Sequence, residues 1–133
     1  MKFHQALMAT AHIWSELSHC KRRKVGAVLS KNRRVLATSY NGAIPGENND
    51  CEDANNNTIE GISHAEQGVL MYAAKNGIST DGCTMYITLS PCITCARLMI
   101  QAGIERVFYT DEYRDVSGIA LLLKHGIAVQ ELK

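Results

Sequence analysis

A chain of 133 residues, 46% hydrophobic and 20% charged with a net charge of +1, has the size and balance of one globular domain spanning 1–133. That near-neutral balance leaves no basic stripe for a nucleic-acid polymer, although a small anion needs only a few local cations. No apolar run approaches the roughly 18 residues needed to cross a membrane, and the N-terminus has no signal-peptide core, so an intracellular protein is expected.

Phe3, Ala6, Leu7, Thr10, Ile13, Trp14 and Leu17 recur at helical spacing and predict an amphipathic helix over 2–18. Val25–Leu29 and Arg34–Tyr40 read as strands joined by the polar turn Lys31-Asn32-Arg33, which makes a hairpin. From Asn41 to Ser63 the chain is polar, with Pro45, three glycines and the run Asn55-Asn56-Asn57, and it reads as a loop. A helix is predicted over His64–Lys75, stopped by Asn76-Gly77. Cys83, Met85, Ile87 and Leu89 alternate with Thr84, Tyr86 and Thr88 as in a strand. Pro91 opens a helix at Cys92–Ala102 that ends at Gly103. A strand at Glu105–Thr110, a helix over 116–125 and a strand at Ile127–Leu132 complete the chain. Strands alternating with helices after an opening hairpin predict an α/β architecture with a mixed sheet.

The chemistry concentrates in His64-Ala65-Glu66 and Pro91-Cys92-Ile93-Thr94-Cys95. A closed structural zinc site takes four Cys or His ligands, whereas a hydrolytic one keeps a position open for water. His64, Cys92 and Cys95 supply three ligands, and Glu66 is left to work on that water as general acid and base. The two cysteines lie three apart at a helix start, on one face, where the helix dipole favours the thiolate that zinc requires. This H-x-E…P-C-x-x-C pattern is the signature of zinc-dependent nucleobase deaminases. The remaining cysteines of the five, Cys20, Cys51 and Cys83, are expected to be ordinary thiols, because an odd count without a secretory signal argues against a disulfide framework.

With these motifs on either side, the chain resembles the cytidine/deoxycytidylate deaminase superfamily, and within it the deoxycytidylate (dCMP) deaminases. Cys20–Val28, Tyr40-Asn41-Gly42, Thr88–Cys95, Gln101–Ile104 and Asp111-Glu112-Tyr113 carry the resemblance over nearly the whole chain. Its short length and Glu112-Tyr113-Arg114 make it most similar to compact, virus-encoded members. The resemblance implies a three-layer αβα fold with a five-stranded mixed sheet, one catalytic zinc, and conversion of dCMP to dUMP and ammonia on the way to dTMP. It implies that Asn41 meets the sugar hydroxyl, the Ala65 N–H the pyrimidine carbonyl, and the Ser90 region the exocyclic amine. Arg22, Lys24, Tyr113 and Arg114 are the candidates for the 5′-phosphate by position. A cytoplasmic homohexamer, activated by dCTP and inhibited by dTTP, is also implied, in the host cytoplasm for a virus-encoded chain. Larger relatives hold a structural zinc with cysteines that resemble Cys20 and Cys51; the inserted segment that completes it is missing here, and a second ion is not expected even with His19 nearby.

Two departures from that family stand out. The loop after Tyr40-Asn41-Gly42 reads Ala43-Ile44-Pro45-Gly46, which drops a hydroxyl and moves the proline by one. Gly68 stands where Asn is usual, one helical turn beyond His64, and is expected to leave room for a 5-substituted cytosine. The competing functions are deamination of dCTP, deoxycytidine or 5-substituted dCMP, then deamination of tRNA adenosine, and last a non-catalytic, zinc-stabilised interaction protein.

Overall fold

The computed structural model describes residues 2–133. Nine elements follow one another: α1 (Lys2–Ser15), β1 (Gly26–Lys31), β2 (Arg34–Tyr40), α2 (Ala65–Lys75), β3 (Thr84–Leu89), α3 (Ile93–Gln101), β4 (Arg106–Asp111), α4 (Ser117–Lys124) and β5 (Ala128–Glu131). The strands form one sheet in the order β2-β1-β3-β4-β5. β1 is antiparallel to β2 and β3, while β3, β4 and β5 run parallel. This is the mixed five-stranded α/β architecture that the sequence predicts.

Alternation along the strands divides the core between the two faces of the sheet. Val28, Tyr86 and Phe108 pack against Leu7, Met8 and Ala11 of α1. Leu29, Met85, Ile87 and Val107 point the other way, onto Val69, Leu70 and Ala73 of α2 and Ala96 and Met99 of α3. Because helices cover both faces, β3 is buried on its apolar and its mixed side alike; Tyr86 is stacked on Phe108 at 5.0 Å and its hydroxyl meets His4 Nδ1 at 2.6 Å. A buried tyrosine keeps its stability only with such a partner for its hydroxyl.

The boundaries differ from expectation for local reasons. Helix α1 stops at Ser15, since Glu16, Leu17 and Ser18 donate three residues back and tighten the last turn. The hairpin turn narrows to Asn32 and Arg33, both with positive φ (53° and 62°), because two left-handed residues match the twist of the flanking strands. A bulge at Leu36 lets β2 regain its register with β1. Pro91 lies outside α3 rather than in its first turn: Cys92 is the N-cap and Ala102 the C-cap.

The cysteine expectation is corrected. Cys20 and Cys51 form a disulfide, and only Cys83 is a buried thiol of the ordinary kind. Parity of the count excludes a complete framework but says nothing about a single bridge. The loop of residues 43–63 contains no helix or strand, only the single bridges Gly42–Ser63 and Glu52–Thr58, and it returns at Cys51 to touch the segment before β1. The bridge closes a separation of 31 residues, for which chain entropy gives about 3–4 kcal/mol of stabilisation. Cys51→Ser is therefore expected to lower unfolding free energy by that amount in urea; an unchanged midpoint would show that the loop is held without the bridge.

Candidate active site

The site lies beyond the carboxyl end of β3, where α2 and α3 both begin. Open parallel α/β sheets place ligands at this end of their strands. His64 is the N-cap of α2 and Cys92 the N-cap of α3. Both have extended backbones, which bring their side chains over the first turn of the helix that follows. The side-chain carbonyl of Gln67 accepts the His64 N–H at 2.8 Å and fixes that backbone. In the same way the Cys92 sulfur accepts the Cys95 N–H at 3.5 Å.

His64 Nδ1 lies 3.2 Å from Cys95 Sγ and 3.5 Å from Cys92 Sγ. All three donor atoms fall within 4.8 Å of one another and can hold one metal ion. A donor set of two sulfurs and one imidazole suits zinc. Among the described residues three protein donors converge here, a set that would leave a position open toward the cavity. Cys92 is held well below the ordinary thiol range, at about 4, first by hydrogen bonding from Cys95 and then by His64. The Cys95 thiol is raised, since Cys92 already takes the thiolate and burial disfavours a second one. His64 is raised above its ordinary value, chiefly by its hydrogen bond with Cys92.

Glu66 sits in the first turn of α2, 4% exposed, on the wall of the same cavity. Loss of water around it pushes its carboxyl up to about 7, against the opposing pull of its backbone hydrogen bond and of His64. A carboxyl poised there can take up and return a proton near neutral pH. Ala65 is the first residue of α2, where the N–H has no acceptor within the helix.

The cavity encloses about 260 Å³. It is lined by Asn41, Ala65, Glu66 and Ser90, by Arg22 and Tyr113, and by Thr58 and Ile62 of the long loop. Lys24 and Arg114 do not line it; both are exposed. Arg23 does, and its guanidinium pairs with Asp111 at 2.6 Å. It belongs to the same basic run as Arg22, so its signal was present in the sequence but not distinguishable from its neighbours. The Asn41 amide is already engaged on both sides, donating to the Arg23 carbonyl at 2.8 Å and accepting from the Val25 N–H at 2.9 Å. The Ser90 hydroxyl accepts the Tyr113 N–H at 2.6 Å and ties the segment after β4 to the cavity.

Two glycines have structural roles near the site. Gly68 faces β2, where a Cβ would overlap the Ser39 hydroxyl; it does not open room beside a base, and that expectation is withdrawn. Gly118, at the start of α4, rests on the backbone of Pro91 and Cys92, with a Cβ position 2.9 Å from the Cys92 carbonyl oxygen. Nothing in the local sequence marks Gly118, because the contact is tertiary. A second group of donor atoms, Cys20, Cys51 and Glu52, also lies within 4.8 Å. Its two sulfurs are bonded to each other, and Glu52 accepts backbone N–H groups.

Residues 1–132 match the MafB19-like deaminase family, and the chain belongs to it. The deoxycytidylate deaminase of Enterobacteria phage T4 is 31% identical over 148 residues, covering 80% of this chain and 77% of its own. That of Mycobacterium phage D29 is 37% identical over 112 residues, covering 74% and 86%. The match to ComE operon protein 2 of Bacillus subtilis, at 36% identity, takes in 86% of this chain but only 62% of that protein. Among solved structures, dCMP deaminase from the cyanophage S-TIM5, in complex with dCMP and dUMP, superposes with a TM-score of 0.96 at 39% identity, over 98% of this chain and 97% of its own.

Zinc added to metal-stripped protein at pH 8 is expected to release at least one proton, from Cys95, which must ionise to bind. Calorimetry in two buffers of different ionisation enthalpy reads this directly; no release would mean that both thiols were already thiolates. Gly118→Ala is expected to cost about 1–3 kcal/mol by overpacking and to weaken zinc binding at least tenfold, on the order expected for a displaced ligand support. Gly68→Ala presses on Ser39 instead and serves as the control, with stability lost and zinc affinity kept.

Proposed function

We propose that the protein catalyses zinc-dependent hydrolytic deamination of dCMP to dUMP and ammonia, a step that supplies dTMP synthesis. The single observation that carries this reading is the pairing of the three-donor group His64, Cys92 and Cys95 with the buried carboxyl of Glu66 on one cavity wall. The cyanophage enzyme's complex with dCMP and dUMP supports the choice of a cytosine monophosphate.

A zinc ion held by His64, Cys92 and Cys95 supplies a Lewis acid that makes water nucleophilic near neutral pH. The remaining tasks fall to the chain. Replacing the amine at C4 of cytosine needs a proton on N3, an oxygen at C4 and a proton on the amine as it departs. Glu66 takes the first proton from water, passes it to N3 and delivers the next to the leaving amine. Its burial on the cavity wall suits this shuttle, since it keeps the carboxyl out of bulk water and beside the reacting atoms. The Ala65 N–H, unpaired at the helix start, holds the pyrimidine carbonyl, and the Ser90 region meets the amine. Asn41 retains one amide hydrogen for the sugar hydroxyl after its two backbone contacts. Arg22, Arg23 and Tyr113 form the cationic and polar wall that takes the 5′-phosphate.

Self-association is part of this reading. Strand β2 is an edge, and Val35, Ile13, Leu17, Met71 and Tyr72 are exposed on or beside the elements that pack near it. A homohexamer that responds to dCTP and dTTP is inferred from likeness to dCMP deaminases.

Zinc-loaded protein is expected to release ammonia from dCMP in preference to deoxycytidine and dCTP. Glu66→Gln should keep zinc and lose about 10²–10⁴-fold in rate. Retained turnover would remove Glu66 from the mechanism. A preference for deoxycytidine or dCTP would keep the chemistry and overturn the monophosphate. Sedimentation of the same sample with dCTP or dTTP tests the assembly, and a monomer unmoved by either would overturn it.

A further inference from the structure

A carboxylate on the wall of a cavity meant for an anionic nucleotide needs a reason to be there. Glu52 is such a group, beside Arg22 and Arg23 on the same wall. Its oxygens are spent on consecutive backbone N–H groups. The Lys21 N–H donates at 3.2 and 3.1 Å to the two oxygens, and the Arg22 N–H donates at 3.1 Å to the second. Successive N–H groups that converge on one anion form a strong, oriented clamp.

The clamped segment lies outside the sheet. Residues 20–25 precede β1 and belong to no strand, so their backbone groups have no ladder to join. Asn41 fastens the far end, through the Arg23 carbonyl and the Val25 N–H. Glu52 fastens the near end, next to the Cys20–Cys51 disulfide. Arg22 and Arg23 are thus carried on a short span held at both ends. Arg23 is paired with Asp111, while among the described residues no carboxylate pairs with Arg22.

We propose that Glu52 is a positioning residue: it reaches in from the long loop and sets the backbone at Lys21–Arg22, so that the Arg22 and Arg23 side chains meet the 5′-phosphate of the nucleotide. It touches neither the base nor the reacting atoms. The proposal rests on the reading of the cavity as a nucleoside monophosphate site. It also explains how an acidic residue is tolerated there, since its charge is taken up by the two N–H groups.

The test compares the affinities of dUMP and deoxyuridine, which needs no turnover, in zinc-loaded protein with the disulfide verified as intact. The ratio of the two affinities is expected to fall about tenfold in Glu52→Ala, the size of one charge-assisted contact. Glu52→Gln keeps one carbonyl acceptor and is expected to recover part of the ratio; it carries the test alone should the alanine variant not fold. Equal weakening of both ligands would reduce Glu52 to a general structural role and overturn the proposal, as would an unchanged ratio. Tighter dUMP binding would also overturn it, by showing that the carboxylate competes with phosphate for the N–H groups. Wild-type protein that favours dUMP over deoxyuridine yet fails to deaminate dCMP would sink the reaction and leave this assignment standing. No preference for dUMP in the wild type would sink both.

Discussion

Everything at the site follows from two helices that begin at the same place, each capped by one of the three donors that could hold a metal ion. His64 and Cys92 are each the last extended residue before a helix, so the direction of each side chain is set by where its helix starts. Cys95, one turn into α3, then closes the triangle without any further adjustment. Shifting either helix start by one residue would turn its ligand away by about 100°, a consequence of 3.6 residues per turn. The packing of α2 and α3 on the sheet, and of Gly118 on Pro91–Cys92, is thus also the control of ligand geometry.

The sheet serves this arrangement by its direction. β3 and β4 are parallel, so both deliver their carboxyl ends to the site, at Leu89-Ser90 and at Asp111. Ser90 donates its N–H to the Asp111 carbonyl at 2.8 Å, and its hydroxyl accepts the Tyr113 N–H. One residue of the cavity wall therefore holds both the end of β4 and the segment after it. β1, antiparallel to β3, starts at the site instead and brings the segment of Arg22 and Arg23 in from the chain before it.

How much of this was legible beforehand depended on whether the determinant was local. Periodicity found all nine elements, because helices and strands with one or two covered faces write their burial into the sequence. The convergence of His64, Cys92 and Cys95 with Glu66 at one cavity was legible because metal spacing and a helix start are local patterns as well. The Cys20–Cys51 bridge was not, since it depends on a loop returning over 31 residues with no hydrophobic period to report its path. Gly68 misled for a related reason. A glycine signals close approach but not what approaches, and here it was Ser39 rather than a ligand. In the basic run, residue type was plain, but which of Arg22, Arg23 and Lys24 faced the cavity required the fold.

The disulfide and the Glu52 clamp fix the long loop near its middle, the Glu52–Thr58 bridge ties the following stretch back to that point, and the Gly42–Ser63 bridge fixes the ends. Between Gly42 and Cys51, among the described residues, the backbone makes only local turns. Closing a longer loop costs little, about 0.6 kcal/mol for each doubling. The stretch 43–50 can therefore gain or lose residues without moving His64, Cys92, Cys95, Glu66 or the arginine-bearing segment. Thr58 and Ile62, which reach the cavity, lie in the tied stretch instead. Length can thus vary in the first half of the loop while the half that lines the cavity keeps its place.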